Sequence, residues 1–151
     1  MHNKTWAAAF LFAAVALSAS AIEGEAGMIK NSSGDVSIVR SGTRIVATVG
    51  TPVFAADKVR TGADGSVGMT LRDSTLLSAG PNSLIVLDKF VFDSTTNAGT
   101  LSVSVKKGTL AVATGKIAKE TPESVDFRTS TAVIGVRGTE FVIDAGAGND
   151  D

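Results

Sequence analysis

The sequence has no cysteine and no tyrosine, and only one histidine and one tryptophan. Those two, His2 and Trp6, fall in an N-terminal segment that reads as a cleaved signal, so the mature chain has neither. A Ser-His-Asp triad, a Cys-His nucleophile and a zinc site built on His or Cys are thereby excluded. Without cysteine, export brings no disulfide, and the fold must stand on its core. The missing Trp and Tyr count against a sugar-stacking lectin, with phenylalanine a weak substitute. An excess of one charge is missing too: Lys and Arg total 14 against 15 for Asp and Glu. Losing Lys4 with the signal leaves 13 against 15, a net charge of −2. That balance implies no polyanion-binding surface and no nucleic-acid partner.

The only long apolar run is Trp6 to Leu17. Lys4 supplies a short basic start before it, and Ala19-Ser20-Ala21 fits the small-x-small cleavage rule. A bilayer span needs roughly 20 apolar residues, so the run reads as a signal peptide over residues 1–21. No cysteine follows to carry a lipid, and Ile22 becomes the expected mature start. The expectation is an exported, soluble product with no membrane span after signal removal. About 130 mature residues suffice for one domain with its own core.

What is present is alternation and punctuation. Leu101-Ser102-Val103-Ser104-Val105-Lys106 alternates apolar with polar, the period of a strand with one buried face. Val67 to Arg72 repeats the pattern, and Asp35 to Arg40 and Ser83 to Leu87 do so more loosely. Turn formers separate these runs at Arg40-Ser41-Gly42, Gly50-Thr51-Pro52, Thr61 to Gly65, Ala79 to Asn82, Asn97-Ala98-Gly99 and Lys107-Gly108. Short strands with turns at roughly ten-residue spacing predict an all-β single domain, solenoid-like or sandwich-like. Leu110 to Ala113 reads as a further strand, Lys116 to Ser124 as an exposed connection, and Val125 to Arg128 as the strand after it.

Near the end, Gly135 and Gly138 flank Val136-Arg137, permitting positive φ or a close approach on either side. Past Thr139 the chain becomes extended, with Phe141 and Ile143 on one face and Glu140 and Val142 on the other. A guanidinium at Arg137 is placed to fold back over the turn and donate to carbonyls or a carboxylate. Asp57, Asp64 and Asp73 each sit beside a turn signal, where capping the local backbone outweighs acid-base chemistry. Gly146-Ala147-Gly148-Asn149-Asp150 looks like one turn of a calcium-binding β-roll repeat. Such sites form between stacked copies, so residues 144–151 read as a flexible tail. No cofactor and no metal are implied.

The run Gly135-Val136-Arg137-Gly138-Thr139-Glu140-Phe141, preceded by Thr129 to Val133, resembles the closing motif of the FecR domain, a bacterial cell-envelope module. The resemblance covers about residues 34 to 143 and takes in Asp57-Lys58-Val59-Arg60-Thr61-Gly62, Leu71-Arg72-Asp73-Ser74 and Pro81-Asn82-Ser83. Residues 22–33 are left as an N-terminal lead. Ser130 stands where a proline is common, Ser74 where the family usually has glycine, and the chain stops at Asp151 where the family normally adds strands.

The resemblance favours a solenoid-like wrap, a periplasmic or secreted location, and a non-enzymatic module that binds a protein partner in envelope sensing or signalling. An alternative is a domain that binds peptidoglycan or another carbohydrate of the cell wall. The strand from Thr139 to Ile143 is expected to present an unpaired edge, open to a partner or to self-association. The resemblance also implies a candidate self-cleavage pair, Gly138 and Thr139, in which the threonine hydroxyl attacks the preceding carbonyl. With no histidine as base, the intact turn is the preferred reading.

Overall fold

The computed structural model describes residues 25–137 and 140–148. The signal segment lies outside the described residues. The strands are β1 (Glu25–Ser33), β2 (Val36–Arg40), β3 (Thr43–Val46), β4 (Pro52–Phe54), β5 (Lys58–Thr61), β6 (Ser66–Leu71), β7 (Leu76–Ala79), β8 (Leu84–Phe92), β9 (Gly99–Lys107) and β10 (Thr109–Ala113). A short helix α1 (Lys116–Glu120) and a 3-10 turn (Pro122–Ser124) follow, then β11 (Val125–Arg128), β12 (Val133–Gly135) and β13 (Glu140–Asp144).

They form two sheets, one ordered β13-β10-β7-β6-β1-β4 and the other β12-β11-β9-β8-β5-β2-β3. All pairings are antiparallel except β9 with β11, where β10 and α1 supply the crossover that a parallel pair requires. Side chains from both sheets, including Ile29, Leu71 and Leu110 from one and Ile38, Val103 and Phe127 from the other, share one core. The architecture is all-β and sandwich-like, without a closed barrel.

The turn formers fall between strands as read. Ser41 and Gly42 both have positive φ and join β2 to β3 in two residues, the geometry whose twist suits a tight hairpin. Gly108 turns β9 into β10 at φ +81, with Ser83 packed where a Cβ would stand. Ser74, where the family usually has glycine, also has positive φ, at 72°. The turn demands a left-handed residue, and this chain meets the demand with serine.

Three expectations need correction. Residues 25–33, set apart as a lead, form β1, which lies between β6 and β4 and buries Ala26 and Ile29. The connection from Lys116 to Ser124 contains α1, whose Ile117 and Ala118 are buried while its lysines face out. The tail is bound at its start. Ala145 N donates to Gly108 O at 2.9 Å, and Gly108 N donates to Gly146 O at 2.8 Å.

Candidate functional site

The closing motif joins the two sheets at one end of the sandwich. β12 is the outermost strand of one sheet and β13 the outermost strand of the other. The chain therefore crosses between sheets at the loop after Gly135, and each arm leaves one edge without a neighbour among the described residues. Inside, the Phe141 ring meets Phe127 edge to face at 5.1 Å between centroids. That contact ties β13 to β11 across the core and explains the aromatic in the motif.

Beside it the sandwich is not filled. Ile134 and Phe141 are only partly buried, and with Val136 and Ile143 they line a slot of about 560 Å³ between β12 and β13. Past Val136, between the crossing loop and α1, lies a cleft of about 1020 Å³ lined by Lys119 and Arg137 together with Glu123 and Glu140. Val133 and Val142 stand outside the core, 66% and 69% exposed.

The hydrogen-bond register shows which backbone groups of β13 face out. Gly108 exchanges bonds with Ala145 and Gly146, while Thr109 O accepts from Gly80 N on the other side of β10. In an antiparallel ladder the direction alternates by residue. Leu110 and Val112 therefore bond to their partners Ile143 and Phe141, whereas Ala111 and Ala113 bond to β7. Val142 and Asp144 are left with their N–H and C=O groups directed away from the sheet.

The predicted site residues separate on inspection. Phe141 is structural. Gly135 has neither a positive φ nor a close neighbour where a Cβ would stand, so neither expected reason for a glycine applies there. Arg137 is exposed, and among the described residues it makes no hydrogen bond or ion pair, so the expected back-folded guanidinium is not observed. Gly138 and Thr139 lie outside the described residues.

The aspartates cap turns. Asp57 accepts from Phe54 N at 2.8 Å, Asp64 from Asp35 N at 3.2 Å, and Asp73 from Thr75 N at 3.1 Å and from Ile117 N at 3.3 Å. Among the described residues, no group of three or more His, Cys, Asp or Glu stands where it could hold a metal ion.

Sequence reading missed the network that seals the opposite end of the sandwich. Arg40 of β2 grips Asp57 with two donors, Nε at 2.9 Å and Nη2 at 2.8 Å. The same Nη2 donates to Pro52 O at 3.1 Å, and the guanidinium lies over the Phe54 ring at 4.4 Å. Asp57 is 1% exposed, and its hydrogen bond holds the already high Arg40 pKa higher still. One arginine thus links β2, in one sheet, to β4, in the other. Arg40 and Asp57 are 17 residues apart, and no local pattern marks them as a pair.

A third feature is polar. On the outer face of β8, β9 and β11, Ser102 donates to Asp126 and Ser104 to Asp88, burying both serines that alternation had placed on a solvated face. Burial pushes the Asp126 carboxyl up, but the bonds from Arg128 and Ser102 outweigh it and hold the group below its usual range. A recess of about 380 Å³ there includes Lys89, Lys106 and Arg128.

A protein-family model described as FecR protein matches residues 57–150. Comparison with curated proteins and comparison with solved structures returned no match.

Proposed function

The chain belongs to the FecR protein family, a regulatory, non-enzymatic family of signalling and sensing modules of the cell envelope, and on that premise we propose that it is an exported periplasmic module that binds a protein partner. The observation that supports this most is the end built by β12 and β13. Both outer strands carry exposed valines, and half-buried core side chains are reachable between them. An uncovered edge presents unpaired backbone N–H and C=O groups to which another chain can add. No helix among the described residues is long and apolar enough to cross a membrane. Residues 1–21 act as the export signal in this reading.

Capture of envelope proteins by the purified mature chain, run beside sedimentation with peptidoglycan, tests it. The expected result is saturable retention of a discrete envelope protein and no cosedimentation with peptidoglycan. Cosedimentation without a protein partner would overturn the proposal in favour of a cell-wall-binding domain. That alternative draws on the polar recess around Ser102, Ser104 and Arg128, which offers donors and acceptors of both signs but no aromatic platform.

A further inference from the structure

Resting on that partner-binding reading, we propose that β13 takes up an extended strand from another protein, with a small aliphatic side chain entering the slot and lysine or arginine set against the strand's carboxylates. Three observations converge on one edge. Val142 and Asp144 direct backbone donors and acceptors outward, which is what strand addition needs. An added strand opposite them points alternate side chains inward, towards the slot lined by Ile134 and Phe141. Its remaining side chains lie beside Glu140, Val142 and Asp144, on the face where β10 and β7 contribute Thr109, Ala111, Ala113, Leu76 and Ser78.

The same geometry disfavours a second copy of this chain. Two β13 strands paired antiparallel about Val142, the register that uses the whole strand, set Glu140 against Asp144 of the other copy at both ends. Like charges directly opposite destabilise such a pair. A strand carrying cations at those positions reverses the sign. The pattern fitting the edge is therefore basic, aliphatic, uncharged, aliphatic, basic.

The capped peptide Lys-Val-Thr-Val-Lys is the probe, followed by amide hydrogen exchange of the mature chain. Binding is expected to slow exchange at Val142 and Asp144. Glu-Val-Thr-Val-Glu should bind at least about fivefold more weakly, and a peptide methylated on the threonine nitrogen, which faces β13, should not bind. In Val142→Pro the lost N–H is an outward one, so the ladder to β10 survives while affinity falls at least about tenfold. Asp144→Lys, which leaves the backbone alone, should invert the preference between the two peptides. Failure of the lysine peptide to bind, slowing confined to other amides, or unchanged affinity in both variants would overturn the proposal. An envelope protein retained equally by wild type and Val142→Pro would sink strand addition and leave the partner-binding reading standing. Peptide binding at β13 with no envelope protein retained would do the reverse.

Discussion

The two ends of this sandwich solve the same problem in opposite ways. At the β3 and β4 end, one arginine crosses from sheet to sheet, neutralises a buried aspartate, caps a carbonyl and lies on a phenylalanine ring. β4 begins with Pro52, which has no N–H to offer a neighbour. At the β12 and β13 end the Phe127–Phe141 contact crosses, and a slot opens beside it. Both ends terminate the same two sheets, so the difference reflects local residue choice rather than topology. The slot beside the Phe127–Phe141 contact is what the sealed end lacks, and it is where binding is expected.

Breaking the sealed end should have the largest effect. Arg40→Ala leaves Asp57 buried without its charge partner, and a loss of about 3 kcal/mol is expected in urea unfolding. A loss below about 1 kcal/mol would show that water replaces the arginine freely. At the open end Phe141→Ala removes a partly buried ring, so about 2 kcal/mol is expected. If it matched Arg40→Ala, the two ends would be equally consolidated and the contrast would fail.

Smaller changes sharpen the comparison. Ala56 holds φ 71 in the turn that presents Asp57, a conformation costing a residue with a Cβ roughly 1 kcal/mol more than glycine. Ala56→Gly is expected to raise the melting temperature or leave it unchanged, since the looser unfolded chain offsets part of the gain; a fall would mean that the methyl packs usefully. Near the open end the Asp126 carboxyl lies below its usual range in the folded chain. Its contribution is therefore complete above the ordinary carboxylate pKa of about 3.9 and fades as pH falls through the lower folded value. Being partly exposed, it should be worth less than about 1 kcal/mol, read as the difference between wild type and Asp126→Asn at pH 6 and pH 2.5. Arg137→Lys should change stability by less than about 0.5 kcal/mol, because the side chain is exposed and makes no hydrogen bond or ion pair among the described residues.

Much of this fold was legible because strand and turn signals are local. Gly42 and Gly108 stand where left-handed backbone is needed, and the alternation from Leu101 to Val105 marks β9. β1 was hidden because Glu25 to Ser33 mixes charged, small and apolar residues around two register shifts, so no period of two survives. α1 was hidden because its three charged residues outnumber the Ile117-Ala118 pair that faces the core. The edge position of β13 was anticipated at Thr139 to Ile143, but its slot depends on which strands end each sheet, a long-range property. The Arg40–Asp57 lock is likewise a contact between distant residues of ordinary type.

The most direct test of the open end is amide hydrogen exchange on the unliganded mature chain. Phe141 and Ile143, bonded to β10, should be strongly protected, while Val142 and Asp144 between and beside them exchange at close to the rate of an exposed loop. Protection of Val142 and Asp144 equal to that of Ile143 would mean that the edge is already covered, and would contradict the account.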